Sequence, residues 1–183
     1  EYFYDIPYEV VLTNSISTYN LINAMEQILK EKKIYKPKII FASSSEVYGS
    51  AETIPTTEEE ITYLRTSENR DSYAAGKLIS EFYIKLFAQK YKIKYFIFRI
   101  FNVYGPRMIN TKYGQVVPEL IKKVQTSSKS LEIIGSGNET RSFCFIDDHI
   151  NLTIKAIKFA KANHTYNIGN PNEVKIIELA ELI

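Results

Sequence analysis

Two short apolar runs, each preceded by a helical pattern, constrain the fold of this chain most strongly. The runs are KIIFAS at residues 38–43 and YFIFRIF at residues 95–101. An amphipathic pattern over residues 10–32 precedes the first run, and a second helical pattern over residues 71–91 lies between the two. Short apolar runs that alternate with helices are typical of parallel strands covered on both faces. The sequence therefore predicts an α/β fold with a doubly wound parallel sheet.

The elements become shorter and more mixed after Gly105 and Pro106. The patterns predict a helix at 116–126, strands at 131–134 and 141–146, a helix at 147–162, a strand at 166–169 and a helix that begins near Val174. Such an arrangement favours a smaller lobe beside the main sheet. Residues 50–70, with Pro55 and several Thr and Glu residues, are predicted to form an irregular surface loop.

The charge pattern argues against nucleic acid and membranes as partners. The 23 basic and 21 acidic residues are spread along the chain, and the net charge is +2. No apolar run approaches the roughly 18 residues of a membrane span, and the first ten residues carry acids where a secretion signal has bases. Only His149 and His164 could join the single cysteine, Cys144, in a soft metal site. We therefore expect a cytoplasmic, metal-free protein.

Tyr73 and Lys77 are four residues apart on the second predicted helix, which places both side chains on one face. A nearby ammonium stabilises a phenolate and lowers the pKa of a tyrosine. The pair could accept a proton from a sugar hydroxyl while hydride leaves the same carbon. The same spacing also fits an ordinary pair on a surface helix.

A run of polar residues, SSSEVYG at 43–49, follows the first predicted strand. The carboxyl ends of parallel strands line the ligand crevice of an open sheet, so these hydroxyls and the carboxylate of Glu46 are candidates for the site. They also fit a polar strand exit whose serines bond to local backbone.

These residues resemble the extended short-chain dehydrogenase/reductase family, which includes NAD-dependent epimerases and dehydratases. The resemblance continues in order through RIFNVYGPR at 99–107, GSGNETRSFCFIDD at 135–148 and YNIGNP at 166–171. The fold that it implies is a Rossmann-like domain whose N-terminal strands are missing, with a smaller substrate-binding lobe. Residues 1–105 would form the C-terminal part of the NAD-binding domain. Residues 106–183 would be mainly the lobe, with 147–170 returning to the first domain.

The resemblance also implies roles for individual residues. The catalytic residues would be Ser44, Glu46, Tyr73 and Lys77. The residues that contact NAD would be Asn14, at a helix start beside the nicotinamide, together with Ser43, Tyr73 and Lys77. The residues that contact a nucleotide-sugar substrate would be Ser45, Asn102, Arg107 and Arg141. Arg99 is a further guanidinium suited to phosphate. A homodimer that pairs through the helices at 10–32 and 71–91 is expected on the same ground.

Glu46 and its neighbours bear on the reaction. The pattern resembles that of UDP-glucuronate decarboxylases and nucleotide-sugar 4,6-dehydratases, whereas 4-epimerases usually carry a small or hydroxyl residue at this position. The segments after the second strand resemble the decarboxylases more closely, so we favour conversion of UDP-glucuronate to UDP-xylose. A 4,6-dehydratase and then a 4-epimerase are the alternatives. A fourth is a non-catalytic nucleotide-sugar-binding fragment, because all seven glycines lie beyond residue 48 and no Gly-rich phosphate loop is present.

Overall fold

The computed structural model describes residues 2–31, 36–109, 115–126 and 131–183. The helices are α1 (Tyr2–Asp5), α2 (Pro7–Glu31), α3 (Asp71–Tyr91), α4 (Val116–Thr126), α5 (Ile146–Phe159) and α6 (Ile176–Leu182). The strands are β1 (Lys38–Ser44), β2 (Lys94–Ile100), β3 (Val103–Tyr104), β4 (Thr140–Ser142), β5 (Cys144–Phe145), β6 (His164–Ile168) and β7 (Glu173–Lys175), and a 3-10 helix covers Ser45–Tyr48. The described residues of the chain fall into two compact units. The first unit consists of 2–100 and 153–168, and the second consists of 101–152 and 169–183.

A three-stranded parallel sheet forms the centre of the first unit, in the order β1-β2-β6. In its register, Ser43 lies beside Arg99, and Arg99 lies beside Asn167. The carboxyl ends of all three strands therefore lie at one edge of the sheet. The predicted α/β fold with a parallel sheet is confirmed.

Alternate side chains of β2 pack on opposite faces of this sheet. Tyr95 and Ile97 join a core cluster with side chains of α2 and α3, whereas Phe96 and Phe98 pack with Ile168 and apolar residues of α5. Each fully buried side chain of this size stabilises the fold by roughly 1.5–3 kcal/mol. Burial on both faces explains why the run YFIFRIF is apolar almost throughout.

Helices α2 and α3 pack closely at Gly76. A Cβ atom at this position would lie 2.8 Å from the Cβ of Asn14 and 3.1 Å from the carbonyl oxygen of Val11. The hydroxyl of the neighbouring buried Ser80 donates to the carbonyl oxygen of Asn14 at 2.6 Å. Because Gly76 has no side chain, α2 and α3 can approach closely enough for Ser80 of α3 to bond to the backbone of α2.

The second unit contains two small strand pairs. β3 pairs with β5 in parallel, with Val103 beside Cys144, and β4 pairs with β7 antiparallel, with Arg141 beside Val174. Asn102 connects the pairs, because its carbonyl accepts from the amide of Cys144 at 2.9 Å and its side chain donates to the carbonyl of Ser142 at 3.0 Å.

Several predicted boundaries in the second half are wrong. Residues 131–134 are not a strand, and the carbonyl of Glu132 accepts from the Lys123 side chain at 2.9 Å. The strand predicted at 141–146 divides into β4 and β5 because the two halves pair with different partners. The helix predicted near Val174 begins at Ile176, after β7, and α5 ends at Phe159 rather than Ala162.

The predicted start of the first long helix also changes. α2 begins at Pro7, three residues early, and proline suits the first turn because it lacks the N–H that a helix start leaves unpaired. Lys32, the predicted end of this helix, lies outside the described residues. α3 begins at Asp71, as predicted, and its N-cap residue Arg70 makes no side-chain capping bond. The carboxylate of Asp71 accepts from the backbone amide of Arg65 at 2.7 Å. No helix in the described part of the chain is long and apolar enough to cross a membrane.

Candidate active site

The end of β1 and the first turns of α3 bring a hydroxyl and a phenol together. Ser44 is the last residue of β1, has an extended backbone (φ −142°, ψ 150°), and accepts the amide N–H of Glu46 on its hydroxyl at 3.2 Å. This bond caps the 3-10 helix, so the strand turns sharply just after Ser44. The Ser44 hydroxyl also lies close enough to the phenol of Tyr73 to lower its pKa. Two of the predicted catalytic residues are therefore neighbours.

Lys77 lies one turn after Tyr73 on the same face of α3. Its ammonium donates to the carbonyl oxygen of Ala42 on β1 at 2.9 Å, and it lies 5.6 Å from the centre of the Tyr73 ring. Burial lowers the pKa of Lys77 below its ordinary value. The lysine thus connects α3 to the backbone of β1 beside the phenol.

The surroundings of Tyr73 favour its protonated form. Burial raises the pKa of the phenol most, the negative charge of Glu46 also raises it, and the nearby Ser44 hydroxyl lowers it. The ring of Phe3, 5.7 Å away between ring centres, helps to cover it. The prediction that Lys77 lowers this pKa is wrong for this geometry, in which the ammonium donates to Ala42.

Glu46 forms an ion pair that the sequence analysis missed. Its carboxylate lies 3.6 Å from the guanidinium of Arg70, and the two side chains are 46% and 57% exposed. An exposed pair of this kind contributes at most about 1 kcal/mol, so both side chains can turn toward a ligand at little cost. The sequence offered one indication of this pair, since Arg70 lies only three residues before Tyr73 and thus close to the candidate site.

Three residues of the first unit were predicted to contact the cofactor or substrate, and each has its own surroundings in the structure. The hydroxyl of Ser43 is buried and donates to Glu81 at 2.6 Å, so this side chain is engaged within the protein. Ser45 begins the 3-10 helix and is half-buried. Asn14 lies inside α2 rather than at a helix start, because the helix begins at Pro7, and its amide donates to the carbonyl of Val10 at 2.9 Å.

The remaining predicted substrate residues belong to the second unit. Arg107 and Arg141 are exposed, and the Arg141 guanidinium donates to the carbonyl of Thr140 at 2.8 Å. Arg107 has a left-handed backbone (φ 69°). The side chain of Asn102 is engaged with Ser142, as described above, so its amide nitrogen has a structural partner.

Arg99 is not available for a phosphate, contrary to the prediction. It is 7% exposed and forms two hydrogen bonds with the carboxylate of Glu81, at 2.8 and 3.0 Å. Burial lowers the pKa of Arg99, but the bonds to Glu81 more than offset this and the pKa is raised overall. An arginine inside an apolar strand needs a buried carboxylate partner, and that rule was the signal for Glu81.

Comparison with known proteins identifies the family. A family model described as the NAD dependent epimerase/dehydratase family matches residues 4–169. The chain belongs to this family. The described residues contain no group of three or more His, Cys, Asp or Glu side chains that could hold a metal ion.

Individual members of the family differ in reaction. The chain is 30% identical to UDP-glucuronic acid decarboxylase 1 of Xenopus tropicalis over 100% of its own length and 41% of that protein. It is 29% identical to human dTDP-D-glucose 4,6-dehydratase over 95% of its length and 45% of that protein. The solved UDP-glucose 4-epimerase of Thermotoga maritima matches with a TM-score of 0.80 and 28% identity, over 97% of this chain and 54% of the other. The chain thus spans about half the length of these relatives.

Proposed function

We propose that this protein is part of an NAD-dependent enzyme that modifies a nucleotide sugar by transient oxidation at C4, and that its reaction is decarboxylation of UDP-glucuronate to UDP-xylose. The observation that carries the proposal is the meeting of the Ser44 hydroxyl, the Tyr73 phenol and the Lys77 ammonium at the carboxyl end of β1. Those three groups can remove a hydroxyl proton at a crevice where parallel-sheet proteins bind ligands.

The residues at this edge suit the nicotinamide ribose of NAD. Lys77 uses one of its three N–H donors on Ala42, so the others can meet ribose hydroxyls. The backbone of Ser43, the phenol of Tyr73 and Asn14 complete the set proposed to hold the cofactor. When bound, NAD supplies a reversible hydride acceptor.

The side chains of this chain would perform the proton transfer. Tyr73 in its phenolate form accepts the proton of the C4 hydroxyl, and Ser44 hydrogen-bonds with the reacting oxygens. Because the surroundings without ligand favour the neutral phenol, the positive charge of Lys77, one turn away, is needed to stabilise that phenolate. A 4-ketone is β to the carboxylate at C5, so carbon dioxide can leave while its bonding electrons enter an enolate. The enolate takes a proton at C5, and the C4 ketone is then reduced by return of the hydride, with Tyr73 giving back the proton to the C4 oxygen. Glu46 orients the sugar, and Arg141 holds the diphosphate or the departing carboxylate.

Two other reactions of the same class remain candidates. Glu46 is half-exposed beside Ser44 and Tyr73, so in a 4,6-dehydratase it could remove the C5 proton, and the similarity to the human dehydratase supports this alternative. A 4-epimerase is supported by the similarity to the Thermotoga structure. A non-catalytic nucleotide-sugar-binding protein is the alternative of another class.

We further propose that two copies of the protein associate in the cytoplasm. The surface formed by α2 and α3 carries exposed apolar side chains at helical spacing, which we call the α2–α3 face: Tyr8, Leu12, Ile16, Tyr19, Ile79, Phe82 and Leu86. Exposed apolar side chains at helical spacing on two packed helices favour a protein partner.

The test uses the full-length gene product with NAD and, in separate reactions, UDP-glucuronate, UDP-glucose, dTDP-glucose and GDP-mannose, followed by mass spectrometry. We expect loss of carbon dioxide from UDP-glucuronate, and Tyr73→Phe should abolish it. Loss of water from a hexose nucleotide would replace the decarboxylase with a dehydratase. An epimer detected by NMR without a mass change would support the epimerase, and unchanged substrates despite NAD binding would favour the binding protein.

A further inference from the structure

A buried polar cluster lies directly behind the residues of the candidate site. The carboxylate of Glu81 accepts from the Ser43 hydroxyl at 2.6 Å and from two nitrogens of Arg99 at 2.8 and 3.0 Å. All three residues are less than 8% exposed. They come from three elements, since Ser43 is on β1, Arg99 on β2 and Glu81 on α3. We call them the Glu81 cluster.

Burial of such a polar cluster in a core has a large desolvation cost. Burying a carboxylate and a guanidinium costs several kcal/mol for each ion before their attraction is counted, and apolar side chains of equal size often stabilise as well. The neighbouring positions Ile97 and Ile84 show that this layer is otherwise apolar. Hydrogen bonds have one property that apolar contacts lack, which is that they fix direction and distance. The cluster therefore fixes α3 at a defined position against β1 and β2.

The cluster is close in sequence to both halves of the proposed proton-transfer pair. Ser43 is adjacent to Ser44, and Glu81 is two helical turns after Tyr73 on α3. A shift of α3 along β1 would therefore move the phenol relative to the Ser44 hydroxyl. The contact of Lys77 with Ala42 restrains the same two elements, but through a flexible side chain.

Arg99 extends the restraint to the segment that carries Glu46. Its guanidinium lies 4.7 Å from the ring centre of Tyr48, which ends the 3-10 helix, and donates to the carbonyl of Glu58 at 3.3 Å. The phenol of Tyr48 in turn donates to the side chain of Asn167 on β6 at 2.7 Å. The ends of all three strands of the sheet are thus held by one connected set of bonds.

We propose that Glu81 is a positioning residue of the enzyme, which sets the distance between the Ser44 hydroxyl and the Tyr73 phenol through Ser43 and Arg99. The kinetic part of this inference rests on the proposed function, but the positioning itself is a property of the chain without substrate. The nearby Ser44 hydroxyl lowers the pKa of Tyr73, so a greater separation of the two groups raises that pKa. The pKa of Tyr73 in the absence of cofactor therefore reports the positioning directly.

The test compares Ser43→Ala, which removes one bond and leaves the Glu81–Arg99 pair, with Ile84→Val as a control. Ile84 is fully buried on α3, one turn after Glu81, and makes no polar side-chain contact. The pKa of Tyr73 is measured by NMR of tyrosine-labelled full-length protein, with Tyr73→Phe to assign the signal. We expect Ser43→Ala to raise this pKa, as Ser44→Ala does, and Ile84→Val to leave it unchanged at a similar loss of stability.

Kinetics supply a second measurement for an active protein. Ser43→Ala should lower kcat about 10- to 100-fold with a smaller change in KM, because a misplacement of about 1 Å can have this effect. Glu81→Asp should retain more activity than Glu81→Gln, since it keeps the charge opposite Arg99. A Ser43→Ala protein with an unchanged pKa of Tyr73 would overturn the inference. If the unmutated protein turned over no sugar nucleotide, the proposed function would fail while the pKa measurement would still decide the positioning.

Discussion

The pKa of the Tyr73 phenol is raised by some of its neighbours and lowered by another. Burial and the charge of Glu46 favour the neutral phenol, and the Ser44 hydroxyl favours the phenolate. A group held between such influences responds to small changes in nearby charge, because each acts on the same ionisation. The proton affinity of this residue is therefore set by its neighbours as much as by its own chemistry.

Replacement of Glu46 by Gln tests the electrostatic part of this balance. Removal of a negative charge lowers the cost of forming a phenolate, so the pKa of Tyr73 should fall while its burial and the nearby Ser44 hydroxyl are unchanged. NMR titration of tyrosine-labelled protein measures the change. Arg70→Gln is the matched control at the other end of the ion pair. It should leave the pKa unchanged or raise it, and a raised pKa in Glu46→Gln would contradict the expectation.

Residue-level prediction from sequence succeeded where side chains belong to regular elements. Ser44, Tyr73 and Lys77 could be placed together because a strand end and a helical spacing of four fix their positions. The prediction failed for Arg99, since its partner Glu81 is on another element and a linear pattern does not show which charges meet. Whether Asn102, Arg107 and Arg141 bind substrate stays a prediction.

At the scale of elements, helices α2 and α3 are joined by polar contacts at the end opposite the candidate site. Glu26 of α2 accepts from the Lys90 ammonium at 2.8 Å and from the Tyr91 hydroxyl, both on α3. These bonds lower the pKa of Glu26 from 4.5 to about 2. The carboxylate is thus bound more favourably in the folded chain than in the unfolded one.

This difference predicts a dependence of stability on pH. Because the folded pKa of Glu26 is lowered, its contribution is complete above the unfolded value of 4.5 and is lost as pH falls toward about 2. Urea unfolding between these pH values should show a smaller decline in the free energy of unfolding for Glu26→Gln than for the unmutated protein. Glu31→Gln, at the end of the same helix, is the control and should keep the full decline. Equal declines in all three proteins would exclude this role.

Element boundaries were predictable where one pattern filled a whole element. α4 agrees with its prediction at both ends, and β1 and β2 agree within one residue. The failures at 131–134 and 141–146 share a physical cause, because a strand of two or three residues exists only through its partner. Pairing between β4 and β7, more than thirty residues apart, is not encoded in either segment alone.

At the scale of the whole molecule, the α2–α3 face exposes apolar side chains that a protein partner could bury. Phe82 and Leu86 on this face are 54% and 60% exposed, beside further apolar residues of α2. A stable pairing of copies buries at least about 1,000 Å². Since the face covers several turns of two helices, it offers an extended area for such an interface.

Sedimentation of the full-length protein tests this association. We expect a dimer for the unmutated protein and a monomer for Phe82→Glu, because a buried unpaired carboxylate disfavours the interface. Phe159→Glu is the control, since Phe159 is 83% exposed at the end of α5 and lies outside the α2–α3 face. The proposed dimer is refuted if Phe82→Glu sediments like the unmutated protein.

The exposure of Glu46 has a consequence for evolutionary change. This side chain contributes little to folding, because it is 46% exposed and its ion pair with Arg70 is at the surface. The Glu81 cluster behind the site is held by buried hydrogen bonds that other side chains cannot replace easily. A descendant of this chain could therefore exchange the acid at position 46 without rebuilding the scaffold. A change in the chemistry of this site can thus arise by a single substitution, because the fold places few demands on this side chain.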